Sequence, residues 1–183
     1  MNRSIPICAV LIALTACLAY SQAMGSGTVV ASPPEQASVN VAGKTISLKY
    51  SAPSVRGRQI FGEGGVVSKD PTYPVWRAGA NAATALHTDG DLTIKGLAVP
   101  KGDYTLYVLV KGATWQLIIN KQTGQSGMVY EQAQDLGRVP MDMGKPPSRV
   151  EKLKYALSAT GANAGKLQLE WDNFVASVPF TVK

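Results

Sequence analysis

Cysteine is nearly missing from this chain, and its position is informative. The 183 residues contain two, Cys8 and Cys17, both in the apolar N-terminal stretch. No disulfide can brace the remainder, so about 160 residues must hold together through an apolar core, a length ample for one core and short for two. Histidine is scarcer still, with His87 alone. A zinc site built from several His or Cys ligands is excluded. A nucleophilic triad has only His87 to serve as its base, and no Gly-x-Ser-x-Gly is present; a lone histidine at a strand end reads as structural or solvent-facing. Gly62-Glu63-Gly64-Gly65 lacks the Lys-Ser/Thr that follows a phosphate-binding loop. Asp89-Gly90-Asp91 puts two acids in a turn, too few ligands to define a calcium loop. No metal and no cofactor is therefore expected. There is no repeat of fixed period and no amphipathic helix; Glu131 to Leu136 has room for one turn at most.

The net charge is +6. The basic residues are scattered along alternating strands and turns, without a basic face or base-stacking elements, so nucleic acid is not an expected partner.

What is present begins with an export signal. Met1-Asn2-Arg3-Ser4 is a short positive segment, and Ile5 to Leu14 is an apolar run broken only by Pro6, too short to span a bilayer comfortably. The favoured cleavage follows Ser21-Gln22-Ala23, making residues 1–23 a signal peptide. The alternative reads Leu14-Thr15-Ala16-Cys17 as a lipoprotein signal ending before Cys17, which would carry a lipid anchor. The protein is expected to be exported, periplasmic or secreted, or membrane-anchored in the alternative. No later segment is apolar enough to predict a transmembrane span. Residues 24–38, small and polar with Pro33-Pro34, are expected to be a flexible lead-in to a single domain over 39–183.

Period-two alternation then dominates. Ile46, Leu48 and Tyr50 share one strand face, with Ala42-Gly43-Lys44 turning from a short strand at 39–41. Asp91 to Ile94 is a further strand, and Thr84 to Thr88 reads as one running into Asp89-Gly90. Tyr104 to Val110 and Trp115 to Asn120, joined through Lys111-Gly112-Ala113, form a strong hairpin signal. Leu153, Tyr155 and Leu157, then Leu167, Leu169 and Trp171, then Val178, Phe180 and Val182, continue the alternation to the end. The expectation is an all-β, antiparallel β-sandwich, jelly-roll-like, with one long irregular loop around residues 122–148 that covers an end of the sandwich.

The most chemically loaded stretch runs from Tyr50 to Thr84. Arg56, Arg58 and Arg77 offer planar forks of N–H donors suited to carboxylate, sulfate or phosphate. Trp76 and Tyr73 add flat apolar area, Asn81 an amide and Glu63 an acid, in a segment without regular periodicity. Such a set can form an aromatic-floored polar pocket for a small ligand or sugar. It can equally pin irregular chain, each guanidinium satisfied by backbone carbonyls or by an acid such as Glu63. A glycan hydrolase would need Glu63 to face a second carboxylate, for which Asp70, Glu131, Glu170 and Asp172 are the candidates.

The run Tyr50-Ser51-Ala52-Pro53-Ser54-Val55-Arg56-Gly57-Arg58, then Ile60-Phe61-Gly62 and Val75-Trp76-Arg77-Ala78-Gly79-Ala80-Asn81-Ala82-Ala83-Thr84, resembles the DUF2911 family of bacterial exported proteins. Pro100 to Leu106, Trp115 to Lys121 and Leu169-Glu170-Trp171 resemble its downstream motifs. The resemblance covers essentially the whole domain after the export signal and implies export, but no activity. The leading expectation is a non-enzymatic exported protein binding a small polar or anionic ligand, or a glycan, through Arg56, Arg58, Trp76, Arg77, Asn81 and Glu63. The rivals are an envelope glycan hydrolase using Glu63 and a purely structural envelope module. The sequence leaves the oligomeric state open.

Overall fold

The computed structural model describes residues 31–183, so the signal peptide, the lipidation alternative and most of the lead-in lie outside the described residues. Thirteen strands follow one another: β1 (Pro34–Val41), β2 (Lys44–Ser51), β3 (Val75–Trp76), β4 (Thr84–Thr88), β5 (Leu92–Ile94), β6 (Leu97–Val99), β7 (Gly102–Lys111), β8 (Thr114–Asn120), β9 (Asp135–Pro140), β10 (Asp142–Gly144), β11 (Val150–Ala159), β12 (Ala164–Asp172) and β13 (Phe174–Val182). Two antiparallel sheets face each other. The first has the order β1-β2-β4-β7-β8-β9, with β3 pairing with β7 beyond the end of β4; the second has the order β11-β12-β13-β5-β6, with β10 on β13. Helical structure among the described residues is limited to 3-10 turns at Val67–Lys69 and Gln132–Gln134, the latter inside the segment allowed one turn. The fold is the expected all-β sandwich.

The alternation works as two-faced strands should. Ile46, Leu48 and Tyr50 of β2 and Leu86 of β4 meet Leu153, Tyr155, Leu167 and Leu169 of the second sheet in one core. A strand has side-chain period two, so its apolar residues bury one face together. The two sheets also meet along one side: Val55 N–H donates to Glu151 O at 2.7 Å and Leu153 N–H to Pro53 O at 2.9 Å.

Several segments differ from the expectation. Residues 34–38, placed in the lead-in, pair with β2 from Pro34↔Ser51 onward; their small polar residues hid a strand whose only inward apolar side chain before Val39 is the partly buried Ala37. The segment around 122–148 is irregular only at its two ends, since β9 and β10 occupy 135–140 and 142–144. Gly137 and Pro140 break the apolar alternation there. Gly137 has a packing reason, because a Cβ at that position would lie 2.5 Å from Leu97 Cδ1. Finally β7 buries five consecutive residues, Tyr104 to Val108, since segment 121–134 covers the outer face of the first sheet. Tyr107, Ile118 and Val75 form a second small core beneath it. The cover is tied down where Tyr107 OH donates to Val129 O at 2.8 Å, Asn120 Nδ2 to Glu131 O at 3.0 Å, and Tyr130 OH to Asp135 Oδ2 at 2.7 Å. A strand covered on both sides reads as a continuous apolar run.

Candidate functional site

The chain leaves β2 at Ser51 and returns to regular pairing at β4. Between them, three buried side chains, Val55, Ile60 and Val67, anchor a succession of turns. Val66 N–H donates to Gln59 O and Val67 N–H to Ile60 O, both at 3.0 Å, and Asp70 N–H to Val67 O at 3.1 Å. Phe61 inserts into an aromatic cluster at this end of the sandwich, its ring centroid 4.8 Å from Trp115, 5.0 Å from Phe174, 5.6 Å from Trp76 and 5.8 Å from Trp171. Trp76 and Trp171 stack on one another, with centroids 5.6 Å apart and an interplanar angle of 17°. Edge and stacked aromatic pairs add to simple area burial, which fixes an otherwise irregular loop.

The segment carrying Arg77 is held by buried hydrogen bonds. Trp76 Nε1 donates to Gly79 O at 3.2 Å, while Thr84 Oγ1 and Tyr155 OH both donate to Ala78 O, at 3.0 and 2.9 Å. Ala78 and Asn81 have φ of 54° and 58°, left-handed values that non-glycine residues keep only where surroundings impose them. Tyr155→Phe should therefore lower unfolding stability by about 1 kcal/mol, the net worth of one hydrogen bond, in urea titration, while the ring's edge contact with Tyr50 remains.

A concavity of about 410 Å³ opens beside this segment. Arg56, Arg58, Lys69 and Arg77 line it, with Asp70 the one acid, and Trp76 and Trp171 contribute to its wall. The four cations are not equivalent. Arg58 is committed to the loop, donating from Nε to Val55 O at 3.1 Å and from Nη2 to Ser54 O at 2.6 Å. The Arg56 guanidinium reaches only Ala31 O, at 3.3 Å, while its backbone N–H donates to Glu151 Oε1 at 2.8 Å. Lys69 is exposed. Arg77 Nη2 stands 3.4 Å from Asp70 Oδ2, longer than a charge-assisted hydrogen bond. Arg77 Nε is buried without an acceptor among the described residues, and so is Trp171 Nε1. Asp70 is steadied from its other oxygen, which accepts from Thr72 Oγ1 at 3.1 Å and from Thr72 N–H at 3.4 Å.

Of the residues singled out from the sequence, Arg56, Arg58, Trp76 and Arg77 come together at this concavity. Asn81 and Glu63 do not line it. Asn81 Nδ2 donates to Ser51 Oγ at 3.4 Å and its carbonyl accepts from Gly127 N–H at 3.2 Å, joining the loop to the cover. Glu63 is exposed, and its carboxylate has no hydrogen-bond or ion-pair partner among the described residues. Lys69 and Trp171 were missed, and Asp70, named only as a possible partner carboxylate for Glu63, stands here without Glu63. Trp171 was legible as a core residue of an alternating strand, but nothing in its own neighbourhood signals a distant loop.

His87 lies on the outer face of the first sheet, away from this concavity. Ser47 sits opposite it on β2 and Asp103 opposite it on β7, a Ser-His-Asp row across three strands. The imidazole is not arranged as a base for Ser47, because Nδ1 bonds Asp103 Oδ1 at 2.8 Å and Nε2 bonds Asp89 Oδ1 at 3.1 Å. The hydrogen bond to Asp103, then that to Asp89, raises the His87 pKa above its ordinary 6.5. The bond from His87 lowers Asp89 below 3.8. The histidine's contribution is complete below 6.5 and is lost as pH rises through its raised folded value; that of Asp89 is complete above 3.8 and fades as pH falls through its lowered one. Thermal midpoints should thus be highest between 3.8 and 6.5 as far as this cluster is concerned, and His87→Gln should flatten the alkaline decline. The effect is small, since the groups are exposed.

Among the described residues, no group of three or more His, Cys, Asp or Glu is placed to hold a metal ion, and no helix is long and apolar enough to cross a membrane. The molecule is an antiparallel β-sandwich whose loop between β2 and β4 lines a cationic recess. The chain belongs to the family described as "Protein of unknown function (DUF2911)", which matches residues 32–180. No curated protein and no solved structure matches it.

Proposed function

We propose that this is an exported, non-enzymatic binding protein that holds a small anionic ligand (a carboxylate, sulfate or phosphate, free or on a glycan fragment) in the concavity at Arg77. One observation carries the reading. Four cations share one recess with a single acid, and two of its lining residues, Arg77 and Trp171, each carry a buried N–H without an acceptor among the described residues. A buried donor left unsatisfied costs about 1–3 kcal/mol. Export is supported by the signal pattern of Met1 to Ala23.

The tryptophans argue against recognition of a neutral sugar. Trp76 and Trp171 are each 2% exposed and stack on one another, so neither offers a ring face to a pyranose. Charge and hydrogen bonding dominate instead. A hydrolase using Glu63 finds no support, since that side chain is exposed and outside the recess. Arg58 behaves as a structural module requires, its guanidinium satisfied by carbonyls; Arg77 does not.

Thermal unfolding in the presence of galacturonate, sulfate and galactose tests the reading. A ligand that binds only the native state raises the midpoint by mass action. The anions should raise it and galactose should leave it unchanged. A midpoint unmoved by any anion at tens of millimolar contradicts the proposal.

A further inference from the structure

The loops that build the recess also carry exposed apolar side chains. Among the described residues, three large apolar side chains are exposed: Tyr73 at 46%, Met128 at 52% and Val129 at 49%. Scattered singly, such residues mean little. Met128 and Val129 are consecutive, however, and Met128 lines the recess together with Arg56, Arg58, Lys69 and Arg77. Tyr73 belongs to the turn after Asp70, its N–H donating to Asp70 O at 2.9 Å. The chain also enters the sandwich here, because Ala31 and Ser32, the first described residues, line the same recess. A lipid on Cys17, in the lipoprotein alternative, would therefore tether this end of the domain, with thirteen residues between Cys17 and Ala31.

We infer that this face docks on an anionic phospholipid membrane, with a headgroup phosphate at the recess and Met128 and Val129 dipping into the boundary between headgroups and acyl chains. The inference rests on the anion-binding reading above and names where the anion is carried. Two features favour a lipid surface over a free anion. Four cations against one acid, itself paired with Arg77, complement the negative potential of such a surface. The apolar pair beside them gains nothing from a free anion, whereas at a membrane it leaves water. Interfacial binding strengthens with both the apolar area buried and the attraction to anionic lipid, and this face supplies both.

Sedimentation of the purified protein with lipid vesicles decides the matter, with circular dichroism confirming that each variant is folded. The protein should partition onto phosphatidylcholine vesicles containing about one-third phosphatidylglycerol, and hardly at all onto pure phosphatidylcholine. Added salt should release it. Lys69→Gln removes an exposed cation of the recess and should weaken partition about fivefold. Lys44→Gln is the control, since Lys44 begins β2 and stands about 23 Å along that strand from Ser51; it should change little. Met128→Gln combined with Val129→Ser should weaken partition by about tenfold or more. Equal partition onto the two vesicle types, undiminished partition of the apolar double variant, or equal losses from Lys44→Gln and Lys69→Gln would overturn the inference. So would a lipid-free dimer that the double variant dissolves, because a second copy would then cover this face. Calorimetric titration with galacturonate reads anion binding without lipid. Galacturonate binding without vesicle binding would overturn this inference alone, and failure of both would sink it together with the anion-binding reading.

Discussion

Arg77→Met should weaken galacturonate binding roughly thirtyfold, equivalent to about 2 kcal/mol for a charge-assisted hydrogen bond made in a water-poor site. Arg77 is the most enclosed cation of the recess whose guanidinium is not committed to backbone carbonyls. Its stem lies against Gly127, where a Cβ would come within 2.3 Å of Arg77 Cδ, and its side chain is 19% exposed. The same substitution takes the cation away from the buried carboxylate of Asp70, so stability should also fall, by about 2 kcal/mol. Arg77→Lys separates the two effects. A lysine retains a positive charge for Asp70 but has no Nε fork, so this variant should unfold near the parent's midpoint and still bind poorly. Tight binding by the lysine variant would mean that charge alone, and not the donor geometry, holds the ligand.

The second large effect belongs to Trp171. It is buried in the aromatic cluster, stacked on Trp76 and edge-on to Phe61. Trp171→Ala should cost about 3–5 kcal/mol in denaturant unfolding, the range for removing a large buried aromatic side chain. The wall of the recess would be lost with it. Trp171→Phe retains a ring for the stack but lacks the indole N–H. It should therefore lose far less stability while binding falls about tenfold, the value of one hydrogen bond to a charged acceptor. Unchanged affinity in Trp171→Phe would show that Nε1 does not meet the ligand.

The fold was legible where strands present one face to the core. Ile46, Leu48 and Tyr50, or Leu167, Leu169 and Trp171, alternate because their opposite face meets solvent. It was less legible where that condition fails. β1 has almost no apolar inward residues before Val39, and Tyr104 to Val108 lose alternation because a loop covers their second face. β6 escaped because Lys95-Gly96, with φ of 45° and 88°, turns the chain back after only three residues of β5, a two-residue hairpin of the I′ kind.

The site was legible in part for a related reason. Arg56, Arg58, Trp76 and Arg77 lie in one loop segment, and charge beside aromatics in non-periodic sequence marks a shaped surface. Asn81 and Glu63 belong to the same segment, yet turns at left-handed residues such as Asn81 send neighbours in different directions. Composition does not record such reversals. Lys69 ends, and Asp70 follows, a 3-10 turn whose single buried residue, Val67, is too slight a pattern to read. Trp171 arrives from the other sheet through tertiary packing alone.

The chain has three tryptophans, which gives a direct test of where the ligand sits. In a nitrogen-15 labelled sample, three indole N–H resonances can be followed while galacturonate is added. Trp76 Nε1 is already committed to Gly79 O, and Trp115 is not among the residues lining the recess, whereas Trp171 Nε1 lacks an acceptor. The Trp171 indole signal should move downfield and saturate with the same affinity that calorimetry reports, with the Trp115 signal nearly still. A saturable titration that leaves Trp171 unmoved and instead shifts the amides around Ser47, His87 and Asp103 would place the ligand on the opposite part of the molecule and contradict the account.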